Sequence, residues 1–205
     1  MYYRMYAYII AIHMEIPKRL IERIIERKCV VFVGAGLSIQ AGLPTWSGLL
    51  DMLLDHLRSN KLGDPQLYIE IEGAIKEGDF QLAADVLKDK LGKSTFAEFM
   101  KHLFRDSDLH PQDTHELMKK LPFSAVFTTN YDKLLETTYG SPPVYTQVQV
   151  TELSTSLDSD EFYILKFHGD IDQVETIILG ESDYQHIIHS NDAIRRHIQT
   201  VFLTR

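Results

Sequence analysis

The stretch VFVGAGLSIQAGLP, residues 31–44, decides the fold of this chain. A run of β-branched and aromatic residues leads directly into Gly34, Gly36 and Ser38. β-Branched runs favour strands, and small residues after a strand let backbone N–H groups approach an anion at the start of the next helix. The stretch predicts a fully buried strand over Cys29–Val33, then a glycine turn and a helix. The turn either binds a phosphate or simply connects the two elements.

The turn departs from two common nucleotide-binding motifs. The dinucleotide motif G-x-G-x-x-G needs a third glycine where this chain has Ile39, and no acidic residue closes a second strand about 20 residues further on. The sequence also lacks the G-K-[ST] of a P-loop. The glycine turn by itself leaves both of its interpretations open.

Composition limits the class of protein. A length of 205 residues fits one domain, or one domain with an inserted module. The net charge of −8 argues against nucleic-acid binding, which needs a basic surface. Cys29 is the only cysteine, so the chain forms neither an internal disulfide nor a zinc site of cysteine pairs. A single cysteine fits the reducing cytoplasm.

The N-terminal stretch, residues 1–13, is apolar but shorter than the about 20 residues of a membrane-spanning helix. It has no small-residue cleavage site, so we expect neither a membrane segment nor a signal peptide. Met14 stands before a helical pattern of apolar residues from Ile16 to Ile25. We expect translation to start at Met1 or Met14, so residues 1–13 are either an extension to the domain or not part of the protein.

Hydrophobic periodicity predicts the order of elements. Helical spacing persists over about 47–120, which indicates an inserted helical module without strands. Its first helix carries an apolar stripe that we expect to be core: Trp46, Leu49, Leu50, Leu53, Leu54 and Leu57. Strands are predicted at 124–132, 144–150, 162–170 and 175–184, and a helix follows. Strands separated by helices indicate an α/β fold with a parallel, Rossmann-like sheet flanked by helices.

Polar residues follow three of the predicted strands, at Gly34–Ser38, Thr128–Asp132 and His168–Asp170. Each has a purely structural alternative: Asn130 could cap a helix, His168 could be a core histidine, and Asp170 could cap a turn. Ligands of open α/β sheets bind at the carboxyl ends of strands, where polar groups converge. The coincidence of three such ends favours a ligand site.

The runs GAGLSIQAGLPTW, TTNYDKLLE and KFHGD, in this order, resemble those of sirtuin-like NAD-binding domains. The similarity is greatest to the bacterial anti-phage branch, in which this domain hydrolyses NAD, and the later run IILGESDY also resembles that branch. The resemblance covers 14–205, including the helical module.

The resemblance also implies roles for individual residues. Asn130 would hold the ribose next to nicotinamide or the attacking water, and His168 would be the catalytic histidine. Asp132 would lie near the carboxamide, and the glycine turn would bind the phosphates. The implied NAD-binding set is Gly34, Ala35, Gly36, Ser38, Thr129 and Asp132. NAD is then the substrate, and no metal is expected.

Two departures separate the chain from deacylating sirtuins. Those enzymes have a zinc module of paired cysteines, and they carry an acidic-aromatic-arginine run where this chain has Pro44, Thr45 and Trp46. We therefore expect NAD hydrolysis to nicotinamide and ADP-ribose in anti-phage defence. The alternatives are a non-catalytic NAD or ADP-ribose sensor, and an enzyme that deacylates or ADP-ribosylates protein.

The end of the sequence suggests a further segment. A helix is predicted up to Arg205, and a crossover helix in a parallel sheet normally returns the chain to another strand. We expect either a longer protein with a sensor region downstream, or a chain that works as a homo-oligomer or with a partner.

Overall fold

The fold is a parallel α/β sheet flanked by helices, as predicted. A computed structural model of the chain describes residues 16–105, 108–149, 161–190 and 192–204. The strands are β1 (Val30–Val33), β2 (Ala125–Thr128), β3 (Val144–Thr146) and β4 (Tyr163–Lys166). They form one sheet in the order β1-β2-β4-β3, and every pair is parallel. Val33, Thr128 and Lys166 lie side by side in register, so three strands end level at one edge of the sheet.

Helices connect and cover these strands. In chain order they are α1 (Lys18–Ile25), α2 (Gly36–Ile39), α3 (Trp46–Ser59), α4 (Pro65–Glu77), α5 (Phe80–Phe104), α6 (Asp113–Lys119), α7 (Leu134–Tyr139), α8 (Glu181–Ser190) and α9 (Asp192–Thr204). A 3₁₀ turn spans Val174–Thr176. No helix in the described ranges is both long and apolar enough to cross a membrane.

Both faces of the sheet are covered by apolar contacts. On one face, Leu135 of α7 packs with Val126 and Ile164. On the other face, Val201 of α9 packs with Phe127. This alternation follows from the period of two along each strand, which sends neighbouring side chains to opposite faces.

The helical module is confirmed, because α3 to α6 all lie between β1 and β2. Its helices begin and end where the sequence provides caps. The Asp64 side chain accepts a hydrogen bond from the Leu67 N–H, and Gly78 ends α4 with the positive φ that glycine adopts freely. The core of the module contains the predicted stripe of leucines: Leu49, Leu50, Leu53, Leu54 and Leu57.

Two predicted strands differ in the structure. The strand that begins near Cys29 was predicted to be fully buried, but Phe32 is 61% exposed because β1 forms an edge of the described sheet. No strand covers 175–184. There the chain forms the 3₁₀ turn, an extended stretch and the first turn of α8. The apolar side chains of Ile177 and Leu179 pack against the helical module, so they are buried without strand pairing.

Helices are confirmed near both ends of the described chain, as α1 and α9, but α1 buries none of its residues. Its apolar side chains Ile21 and Ile25 are exposed. The strand predicted at 144–150 is confirmed over Val144–Thr146. The proposed N-terminal extension, residues 1–13, lies outside the described residues.

Candidate active site

A cavity of about 170 Å³ lies at the sheet edge where β1, β2 and β4 end. Six of the predicted site residues line it: Ala35, Ser38, Thr129, Asn130, Asp132 and His168. Gly34 and Gly36 belong to the same turn but are not part of the cavity wall. The three polar strand ends therefore meet around one cavity.

The glycine turn has few backbone N–H groups to offer a ligand. The N–H groups of Leu37 and Ser38 donate to the carbonyl oxygens of Gly34 and Ala35, at 3.0 and 2.9 Å. In the described part of the chain, the N–H groups of Ala35 and Gly36 have no such partner. These two N–H groups are the ones that a phosphate could engage.

Ser38, Asn130 and Asp132 form a chain of buried hydrogen bonds, which we call the cavity cluster. The Ser38 hydroxyl donates to Asp132 Oδ2 at 2.7 Å. Asn130 Nδ2 donates to Ser38 Oγ at 2.9 Å and to the carbonyl oxygen of Gly34 at 3.1 Å. Because the hydroxyl proton goes to a carboxylate, Ser38 Oγ must accept from the amide, which fixes the amide orientation. Asn130 Oδ1 is then the amide atom left for a ligand.

Asn130 does not cap a helix, so that alternative is wrong. Asp132 has the capping contact instead, since its Oδ1 accepts from the N–H of Leu134 at the start of α7. The backbone N–H of Asn130 donates to Thr128 Oγ1 at 3.0 Å, which holds the chain as it leaves β2.

His168 lies on the cavity wall and not in the apolar core. Its Nε2 is 3.2 Å from the Tyr184 hydroxyl, and the two rings meet edge to face. Burial lowers the pKa of His168, so the imidazole is neutral at pH 7. The backbone turns sharply after it at Gly169, whose φ is +91° and whose Cβ position would overlap the Thr176 carbonyl. Only glycine fits there.

A second polar cluster contacts the backbone of Tyr131 and Asp132, and the sequence interpretation missed it. We call it the charge cluster: Lys133, Glu136, Lys166 and Asp170, with Arg105 and Asp172 at its exposed rim. Lys166 is 0% exposed and pairs with Glu136 at 2.8 Å and with Asp170 at 2.9 Å. Its Nζ also donates to the carbonyl oxygens of Tyr131 and Asp132, at 3.2 and 2.5 Å. The available signal was a lysine inside the apolar run FYILKF.

Asp170 thus has a structural role, as its alternative interpretation allowed. Its Oδ1 accepts from the N–H of Asp172 in a turn. Burial alone would raise the pKa of Asp170, but the ammonium of Lys166 beside it holds that pKa below its ordinary value. Asp170 does not line the cavity.

The helical module supplies the apolar wall of the cavity, through Leu49, Phe104 and Trp46. The prediction that Trp46 is a core residue is wrong. Trp46 is 36% exposed, because it begins α3 at the cavity rim and contacts only Phe80 among aromatic rings of the described residues. The later leucines of α3 pack in the module core: Leu50, Leu53, Leu54 and Leu57.

No cluster of three or more His, Cys, Asp or Glu side chains in the described ranges is arranged to hold an ion.

Comparison with known proteins gives matches in agreement with the motifs. Residues 124–205 match a family described as a SIR2-like domain. The chain is 29% identical over 175 residues to NAD(+) hydrolase ThsA of Enterococcus faecium, a match covering 82% of this chain and 33% of that protein. It is 26% identical over 180 residues to ThsA of Cytobacillus dafuensis, with 86% and 33% covered.

A third relative carries a different name. Defense-associated sirtuin 2 of Bacillus subtilis is 26% identical over 195 residues, which is 93% of this chain and 18% of that protein. The resemblance to sirtuin-like domains of bacterial defence proteins is confirmed. The chain spans about a third of the length of the ThsA relatives.

Proposed function

We propose that this chain is an NAD-cleaving domain that hydrolyses the bond between nicotinamide and ribose, giving nicotinamide and ADP-ribose. The observation that carries the proposal is the meeting of Asn130, Asp132 and His168 with the glycine turn around one cavity. The relatives named NAD(+) hydrolase support the choice of substrate.

In this proposal, Asn130 orients the nucleophile or the adjacent ribose. Ser38 and Gly34 occupy both N–H bonds of its amide, so Oδ1 accepts a hydrogen bond from a water or ribose hydroxyl. A neutral amide fixes the position of that group without adding a charge near the reaction centre. Positioning of this kind lowers the barrier, because the reacting groups lose their translational and rotational freedom on binding and not in the chemical step.

His168 accepts the proton. The C1′–N bond breaks and its electron pair leaves with nicotinamide, water oxygen bonds to C1′, and the proton of the water passes to the imidazole. The lowered pKa keeps the imidazole in its basic form at pH 7. A general base of this kind contributes typically about 10²–10⁴-fold to the rate.

The phosphates and the nicotinamide end of NAD contact different groups of the site. The N–H groups of Ala35 and Gly36 face the phosphates, and the carboxylate of Asp132 lies on the nicotinamide side and stabilises positive charge that develops on ribose. The cavity is smaller than the roughly 300–1,000 Å³ of sites that enclose a whole drug-sized ligand. We therefore assign it to the nicotinamide–ribose half of NAD.

The names of the relatives also support a biological role in defence against phage, where depletion of NAD halts the infected cell. The ThsA relatives are about three times as long as the matched region, which supports control of the activity by a further region. A single free cysteine fits action in the cytoplasm.

The test is nicotinamide release from NAD by the purified chain, compared with H168A and with H102A as an exposed control. We expect release by the parent chain and by H102A, and a loss of about 10²–10⁴-fold in H168A. The rate should fall only as the pH drops below the ordinary histidine pKa of 6.5, because burial lowers the pKa of His168. Tight NAD binding without release would instead favour the sensor, and NAD-dependent change of an acylated peptide would favour a protein-modifying enzyme.

A further inference from the structure

Tyr184 contacts the one cavity residue that the proposed reaction uses as a base. Its ring meets His168 edge to face, with centroids 5.3 Å apart and planes at 90°. Its hydroxyl lies 3.2 Å from His168 Nε2, and both side chains line the cavity. The two contacts restrict the imidazole in different ways, since one fixes the plane of the ring and the other fixes one nitrogen.

The hydroxyl contact also bears on which nitrogen of His168 is basic. A neutral imidazole has one N–H and one lone pair, and the partner of one nitrogen decides which nitrogen carries the proton. Burial raises the pKa of the Tyr184 phenol, and the nearby charge of Asp183 raises it further, so the hydroxyl keeps its proton. A protonated phenol can donate or accept at Nε2, but His168 accepts a proton from water only at a nitrogen with a free lone pair. The proposed reaction therefore needs Nε2 to carry the N–H and donate it to the Tyr184 oxygen, which leaves the lone pair of Nδ1 as the base.

The position of Tyr184 depends on Asp183, its neighbour in the first turn of α8. Asp183 Oδ2 accepts hydrogen bonds from the N–H groups of Leu179 and Gly180, at 2.9 and 3.0 Å. The same carboxylate pairs with Lys88 of α5, whose Nζ is 2.5 Å from Oδ2. Both side chains of this ion pair are largely shielded from solvent.

A second residue of α5 holds the same turn. Asp85, one helical turn before Lys88, accepts from the N–H of Ser182 at 3.1 Å and from its hydroxyl at 2.5 Å. A Cβ at Gly180 would overlap the Asp85 carboxylate, so the backbone approaches α5 as closely as glycine allows. The helical module thus holds the start of α8 through two side chains, Asp85 and Lys88.

We propose that Tyr184 is a positioning residue for His168, and that Asp85 and Lys88 of the helical module hold it in place. The inference rests on the proposed function, because it assigns Tyr184 to the residue that accepts the proton. It connects the inserted module to the chemistry at the sheet edge.

The first experiment measures NAD hydrolysis by Y184F, with Y68F as a matched control on the helical module. Y184F keeps the ring contact and removes the hydroxyl. We expect kcat to fall by up to about 10²-fold while KM for NAD stays unchanged, because the base is misplaced and the substrate contacts remain. Y68F, whose hydroxyl donates to the carbonyl oxygen of Gly63, should behave like the parent chain. An unchanged kcat in Y184F would overturn the proposal.

The second experiment does not require turnover, so it separates this inference from the proposed function. ¹⁵N NMR of histidine-labelled protein reports the tautomer of His168, with the resonance assigned by its loss in H168A. We expect one dominant tautomer in the parent chain and a mixture in Y184F. The same spectrum in both proteins would contradict the role of the hydroxyl, whether or not the chain hydrolyses NAD.

The third experiment compares K88M with K90M, and tests whether the helical module holds Tyr184 in place. Lys90 lies on the same helix but pairs only with its neighbour Asp89 at the surface among the described residues. K88M should lower kcat and broaden the tautomer distribution of His168 in the direction of Y184F, and K90M should change neither. If K88M also changes neither, the module does not hold Tyr184.

Discussion

Two polar clusters contact the loop Asn130–Lys133, and only one of them lines the cavity. The cavity cluster is a chain of hydrogen bonds through Ser38, with the Asp132 carboxylate at one end and the Asn130 amide at the other. The charge cluster consists mainly of ion pairs around the fully buried Lys166. Both clusters contact Asp132, one through its side chain and the other through its carbonyl oxygen.

The difference shows how one loop serves both chemistry and stability. The charge cluster satisfies its own charges and the backbone carbonyls of Tyr131 and Asp132, and none of its members lines the cavity. The cavity cluster leaves Asn130 Oδ1 for a ligand. Substitutions in the charge cluster should therefore affect mainly folding, and substitutions in the cavity cluster should affect mainly turnover.

The largest effect is expected from K166M. This change leaves Glu136 and Asp170 buried with only Lys133 as a cation, and removing one partner of a buried pair costs about 3–5 kcal/mol. The matched control K133M should cost less, because Lys133 is about a third exposed and Lys166 still neutralises both carboxylates. Urea unfolding of the two variants measures the difference. Equal stability of K166M and the parent chain would show that the cluster is not a stabilising element.

The next effect is on turnover, from N130A and the similarly sized N130D. We expect nicotinamide release to fall about 10²–10³-fold, the cost of losing one preorganised polar group at other active sites. Stability should fall only by about 1–3 kcal/mol, for the polar partners left without the amide. Circular dichroism melting checks the fold of both variants. If both simply unfold, Asn130 is structural and belongs with Lys166.

A smaller effect is expected from S38A, with S59A as an exposed control. Without the hydroxyl, the Asn130 amide keeps only its hydrogen bond to the Gly34 carbonyl oxygen, so it is less well oriented, and kcat should fall while KM for NAD stays the same. The unpaired polar groups should cost about 1–3 kcal/mol of stability. A raised KM at unchanged kcat would instead favour the role in phosphate binding that the sequence resemblance implies for Ser38.

The smallest effect is expected at the rim of the charge cluster. Arg105 pairs with Asp172, but both side chains are nearly half exposed, so solvent screens the pair. R105A should therefore cost at most about 1 kcal/mol and leave nicotinamide release unchanged. A loss as large as that of K166M would mean that the cluster acts as one unit from its surface to its buried centre.

The motifs made much of the site predictable. The residues Asn130, Asp132 and His168 each follow a strand, and parallel strands that end in register bring such residues together. The charge cluster was not predicted. Lys166 lies 30 positions from Glu136 and four positions from Asp170 in the sequence, and no periodic pattern links the three residues. The Trp46 prediction was wrong because helical spacing identifies an apolar stripe but does not tell where along the helix the core ends.

The sequence by itself determined the α/β class, the inserted helical module and the sheet edge at which polar residues collect. It did so because strand and helix periods, glycine turns and caps act over neighbouring residues. Only the tertiary structure decided that Ser38 orients Asn130, that Lys166 bonds to the backbone of the same loop, and that the apolar run at 177–179 packs without a strand partner. These outcomes depend on contacts between residues up to about a hundred positions apart, where burial and the need to satisfy every buried polar group override local preference.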